Sequence, residues 1–301
     1  MRRGLVFLFV LAALAACAPV GQGGPRKPVV VVTTTYIQDW TRDVGGDRIE
    51  LVGILDPSAD PHEYQPTAVD SRNVARADVV IANGLGLEAG WFPALAKNAP
   101  PGAQVIELAK LVGVGAQPGG PGGSEGDPHV WQDPTNVRKM VPVIRDALAR
   151  ADPAGEATYA QNAAAYDAQL DQLDRDVKAQ IDTIPPASRK LVTNHDAFGY
   201  YARRYGLTVV GSVVPSLTTD AEPSAAETRR LIDAIKAQGV KAIYTESNLN
   251  PKLEQQIAQE AGVRVYSNLY GDALGPPGSD GDTYLKAMRH NTRVIVEGLR
   301  G

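Results

Sequence analysis

Cysteine is almost absent. Cys17 is the only one in 301 residues, so the chain can form no intrachain disulfide and holds no thiol redox pair. Long apolar runs are equally scarce. The run at residues 4–16 is 13 residues long, short of the roughly 20 that a membrane-spanning helix needs, and no other run reaches that length. Neither sign of charge dominates, with 30 Lys and Arg against 34 Asp and Glu and a formal net charge of −4. There is no basic stripe and no cluster of Arg and Lys interleaved with aromatics, so nucleic acid is not an expected partner. The chain also lacks an H-E-x-x-H helix, a P-loop and a G-x-S-x-G elbow joining a strand to a helix, which removes the commonest signatures of zinc proteases, nucleotide hydrolases and serine hydrolases.

What is present at the N-terminus decides the compartment. Arg2 and Arg3 precede the apolar run, which closes on Leu14-Ala15-Ala16-Cys17, small residues in front of the lone cysteine. This is the pattern of a lipoprotein export signal. Residues 1–16 are therefore expected to be a signal peptide, Cys17 the lipidation site, and residues 17–28, rich in Gly and Pro, a flexible tether. The expected location is extracytoplasmic, lipid-anchored to the cell membrane on its periplasmic side or outer face.

Beyond the tether the pattern is α/β. Residues 29–34 form a β-branched run without polar alternation, as in a strand covered on both faces. Similar runs at 51–55, 79–82 and 105–108 alternate with helix-like stretches at 67–76 and 88–98. The second half repeats the rhythm, with strands at 190–193, 207–210, 242–245 and 263–266 and helices at 198–205, 224–238, 251–260 and 283–299. Between the halves Tyr166, Leu170, Leu173, Val177 and Ile181 recur at helical spacing, and Pro185-Pro186 ends the pattern. The expected fold is two lobes, residues 29–150 and 186–301, each a parallel sheet flanked by helices with its own modest core. One long helix at residues 151–185 bridges them, and a cleft lies between. Residues 113–126, with seven glycines and two prolines, read as a loop.

Only four histidines occur, and three share one context. His62, in Asp60-Pro61-His62-Glu63-Tyr64, follows the strand at 51–55. His129, in Asp127-Pro128-His129-Val130-Trp131, lies between the glycine-rich loop and a helix whose residues Val137, Met140, Val141, Ile144 and Leu148 face one way. His195 follows the strand at 190–193. Carboxyl ends of strands are where ligands bind in open α/β sheets. Neutral imidazoles are good ligands for Zn²⁺ and similar metals, and three of them leave the ion's charge uncompensated, so a carboxylate should complete the site. Asp272 offers it, with Glu246 and Asp280 as alternatives. Asp127, Asp133, Asp196, Glu63 and Glu246 are candidates for orienting the imidazoles, and Trp131 and Phe198 for excluding water. His290, inside the last helix, reads as a surface or structural residue.

These residues, together with Asn83-Gly84-Leu85-Gly86-Leu87-Glu88, Asn194-His195-Asp196-Ala197-Phe198, Glu222-Pro223-Ser224 and the stretch from Asp272 to Tyr284, bring nearly the whole chain into register with one group. The sequence resembles the zinc/manganese solute-binding lipoproteins of bacterial ABC importers, whose two lobes are joined by a rigid helix. The resemblance implies His62 and His129 as first-lobe ligands, His195 and Asp272 as second-lobe ligands, and delivery of the metal to an ABC permease; the chain is expected to act as a monomer. Relatives directed to manganese or iron commonly carry Glu where this chain has His195, which favours zinc. Many zinc-directed members carry a histidine-rich loop where residues 113–126 have none. The balance is Zn²⁺ as the favoured cargo with Mn²⁺ as the alternative. The competing readings are a metallohydrolase, a binder of metal chelates or organic solutes, and a surface adhesin.

Overall fold

In the computed structural model, residues 26–113, 126–247 and 249–301 are described. The expected signal peptide, Cys17, most of the tether and most of the glycine-rich loop lie outside them. The first half contains β1 (Val29–Val32), α1 (Thr35–Gly45), β2 (Glu50–Gly53), α2 (Ala68–Val74), β3 (Val79–Ala82), α3 (Phe92–Leu95), β4 (Gln104–Glu107), α4 (Leu108–Leu111) and α5 (Pro134–Ala151). Then comes α6 (Glu156–Asp182). The second half contains β5 (Lys190–Thr193), α7 (Gly199–Tyr205), β6 (Thr208–Ser212), α8 (Ala225–Gln238), β7 (Ala242–Glu246), α9 (Lys252–Ala261), β8 (Arg264–Leu269) and α10 (Tyr284–Arg300).

The strands make two parallel four-stranded sheets, ordered β2-β1-β3-β4 and β6-β5-β7-β8. The second order repeats the first, so each sheet reverses its direction of winding beside its first strand. The fold is thus the expected α/β arrangement with one helix of 27 residues between the halves. No helix among the described residues is long and apolar enough to cross a membrane.

Two expectations need correcting. The halves do not have separate cores: one apolar cluster runs from Val30 and Trp40 through α5 and α6 to Tyr201, Tyr244 and Ile295. Its cause is the stripe on α6, where Tyr159, Tyr166, Leu170, Leu173, Val177 and Ile181 are all buried and face α1, α5 and α10 together. Only the outer faces of the sheets carry clusters of their own, under α2 and α3 and under α8 and α9.

The helix expected at 88–98 is also shorter than expected: its first turn is missing, and a short α-helix at Phe92–Leu95 runs into a 3-10 turn at Ala96–Asn98. Gly84, Leu85 and Gly86 all take positive φ, and α3 begins only at Phe92 with Pro93 in its first turn. Glu88 explains the tight turn. Its buried carboxylate accepts from Asn83 N at 2.8 Å, Gly84 N at 3.0 Å and Thr33 Oγ1 at 2.7 Å, which holds the chain in a loop. Conversely α1 has no counterpart in the sequence reading. It is capped by Thr34, whose side chain accepts from Ile37 N.

Candidate metal centre

Three of the four residues hang from loops beyond strands, and His129 lies in the segment that leads into α5. His62 follows β2, in a turn held by Asp60, whose Oδ1 accepts from His62 N at 2.8 Å. Trp91 Nε1 donates to Pro61 O at 2.8 Å and fixes the same turn from the α3 side. His129 begins a 3-10 turn, Val130–Gln132, and Asn83 Nδ2 anchors the preceding Pro128 carbonyl at 3.0 Å. His195 follows β5 and Asp272 follows β8.

The loops bring the side chains together. One ligating atom from each of His62, His129, His195 and Asp272 lies within 4.8 Å of all the others. His62 Nε2 is 3.3 Å and His195 Nε2 3.2 Å from Asp272 Oδ2, while His129 Nε2 is 3.5 Å from Asp272 Oδ1 and 3.3 Å from His195 Nε2. A tetrahedron with metal–ligand bonds of about 2.0–2.1 Å has edges of about 3.3 Å. The four side chains are almost wholly buried, none more than 3% exposed.

Such packing of imidazoles on a carboxylate would be costly unless charges offset one another. Burial alone would push His195 down, but Glu246 and Asp272 outweigh it and hold the imidazole well above its ordinary pKa. His62 is raised too, with Asp272 overcoming burial. Burial works against ionised Asp272, yet the neighbouring imidazoles hold it well below the usual carboxylate range. Protons therefore balance the carboxylate in the metal-free site.

Of the five candidates for orienting the rings, two stand behind them. Asp127 Oδ1 accepts from His129 N at 3.0 Å and lies 2.9 Å from His129 Nδ1. Glu246 Oε1 is 2.8 Å from His195 Nδ1, off the line of a hydrogen bond, and its Oε2 accepts from Asp272 N at 3.2 Å. The others do different work: Asp133 caps α5 through Thr135 N, Glu63 is exposed, and Asp196 is half-buried. Trp131 packs edge-on to the His129 ring at 5.3 Å, and Phe198 is buried. Glu246 thus stands behind the cluster, whereas Asp280 lies outside it, 71% exposed and paired with Arg293 at 2.9 Å. His290 also lies outside, its Nε2 against Asn268 O at 3.0 Å.

The sequence reading missed the contacts that join the halves beside Asp272. Tyr36 Oη donates to Tyr270 O at 3.0 Å and Gly271 O at 3.1 Å. Thr35 Oγ1 accepts from Leu274 N at 2.8 Å, and Asp39 Oδ2 from Tyr284 N at 2.8 Å. Those partners come from α1, whose buried face mixes polar and apolar residues.

Known proteins resemble this chain over nearly its whole length. The family profile described as "ZnuA: Zinc-uptake complex component A periplasmic" matches residues 30–298. The manganese-binding lipoprotein MntA of Halalkalibacterium halodurans is 32% identical over 98% of this chain and 96% of its own. The iron ABC transporter substrate-binding lipoprotein MtsA of Streptococcus pyogenes serotype M1 is 31% identical over 95% and 94%. Among solved structures, the periplasmic zinc-binding protein TroA of Treponema pallidum superposes with a TM-score of 0.84 at 30% identity, over 91% of this chain and 99% of that one. The chain therefore belongs to the ZnuA family, that of zinc-uptake complex component A.

Proposed function

We propose that this protein captures a divalent transition metal outside the cytoplasm, at His62, His129, His195 and Asp272, and delivers it to an ABC permease. The observation that carries this reading is the meeting of four ligating atoms, from four distant stretches of chain, within 4.8 Å in a buried pocket. Zinc is the favoured cargo, because three imidazoles and one carboxylate at tetrahedral spacing suit it and it binds such donors more tightly than manganese. Manganese is the alternative, supported by relatives named for it and by Asp272 presenting both oxygens to the histidines.

Residues 29–150 and 186–301 are the lobes and residues 151–185 the bridge. The protein acts as a monomer, tethered by lipid on Cys17 after removal of residues 1–16.

Competitive titration of the purified full chain with Zn²⁺ and Mn²⁺, with bound metal counted per chain, tests the assignment. One ion per chain is expected, Zn²⁺ displacing Mn²⁺, and His195→Glu should shift the preference toward Mn²⁺. No stoichiometric binding of either ion, or binding unchanged by His195→Glu, would count against it.

A further inference from the structure

Asp272 belongs to the second half of the chain, but the first half holds the peptide beside it. The carbonyl of Gly271 accepts from Tyr36 Oη at 3.1 Å, Trp131 Nε1 at 2.8 Å and Gln132 Nε2 at 3.2 Å. A carbonyl oxygen has two lone pairs, so three donors saturate it. All three side chains are buried, and the two aromatic ones are braced by their neighbours. Tyr36 stacks on Trp131 with ring centroids 5.3 Å apart, and Tyr284 stands edge-on to Tyr36 and donates to Trp131 O at 2.6 Å.

The position leaves no room for a side chain while Glu246 stays where it is. A Cβ on Gly271 would lie 1.9 Å from Glu246 Oε2, the atom that accepts from Asp272 N. The peptide is thus squeezed between Glu246 on one side and three donors on the other. Trp131 and Gln132 lie in the turn that His129 begins, so the segment supplying one histidine also grips the segment supplying the carboxylate.

We propose that Tyr36, Trp131 and Gln132 are positioning residues that act through the Gly271 carbonyl. They hold Asp272 against His129 and His62 and so retard loss of the bound metal. This inference rests on the metal site proposed above. A fixed carboxylate reduces the chance that two ligands part at once, so the effect falls on the rate of release and not on capture.

The test measures Zn²⁺ release from the full chain into excess chelator, for wild type, Tyr36→Phe and Gln132→Leu, each also in an Asp272→Ala background. Removing one donor to this carbonyl should raise the release rate about 3- to 10-fold, with association unchanged. The increase should vanish in Asp272→Ala, since the donors then have no carboxylate to position. An unchanged release rate in both single variants overturns the proposal, as does an increase that persists without Asp272, which would mark a general loosening. Either single variant suffices if the other does not fold. Should Asp272→Ala release Zn²⁺ at the wild-type rate, both the clamp and the metal site fail; if it releases faster while the single variants do not, the clamp alone fails.

Discussion

His195 stands between two carboxylates, Glu246 behind its Nδ1 and Asp272 before its Nε2. Together they outweigh burial and raise its pKa well above the ordinary value. The stabilisation this gives the metal-free fold is full below the unfolded-chain pKa of about 6.5 and is lost as pH rises through the higher folded value. A metal must displace that proton. Affinity for Zn²⁺ should therefore fall on acidification, beginning above pH 6.5, by up to about tenfold per pH unit for each proton released. Titrations at pH 6, 7 and 8 check this, and a pH-independent affinity would contradict it. Gly271→Ala should weaken Zn²⁺ binding by at least about tenfold, because the added methyl must displace the Glu246 carboxylate that steadies both His195 and Asp272. The same titration reads that loss. Asp39 gives a different signal: burial pushes its carboxyl up to about 6 although it accepts from Tyr284 N. Its ionisation costs the fold nothing below pH 4, and the cost grows to completion above pH 6. Asp39→Asn should accordingly raise the thermal midpoint at pH 7.5 and not at pH 4, by an amount on the order of 2 kcal/mol in stability.

At the scale of elements, legibility followed periodicity. The strands at 79–82 and 190–193 could be read as short apolar or β-branched runs, and the helix α6 because apolar side chains recur there at helix spacing. The Ser224 and Glu227 capping box that opens α8 was visible as a pair three residues apart. The failures have physical causes. In α1 the buried face includes Thr35, Asp39 and Thr41 beside Tyr36, Ile37 and Trp40, so polar residues, two of which bond across the junction between halves, hide the apolar stripe. At residues 88–91 a buried Glu88 satisfying two backbone N–H groups overrides helix propensity, an effect that only the folded partners reveal. The site was legible in its three loop histidines, but sequence alone left Asp272, Glu246 and Asp280 as competitors, because distance along the chain says nothing about convergence. Since α6 serves both halves, Leu170→Ala should cost about 2–5 kcal/mol and lower a single unfolding transition. Two separate transitions in calorimetry would show that the shared core is not cooperative.

The whole molecule is two similar sheets with carboxyl ends turned to a common site and a continuous core behind it. Cross-half hydrogen bonds from Thr35, Tyr36, Asp39, Trp131 and Gln132 close one flank, and Thr219 Oγ1 meets Asp60 Oδ2 at 2.5 Å beside the His62 turn. A shared core and so many ties oppose wide hinge opening, so release should proceed by small shifts of ligand-bearing loops. Small-angle scattering of the metal-free and Zn²⁺-loaded protein should then give radii of gyration that agree to within about 1 Å, the scale of loop and side-chain adjustment. The central claim, that four side chains share one ion, is tested most directly by X-ray absorption spectroscopy of the Zn²⁺-loaded full chain. The account predicts four nitrogen or oxygen ligands at about 2.0–2.1 Å with outer-shell scattering from three imidazole rings. A shell with one imidazole or none, or a spectrum unchanged by His129→Ala, would contradict it.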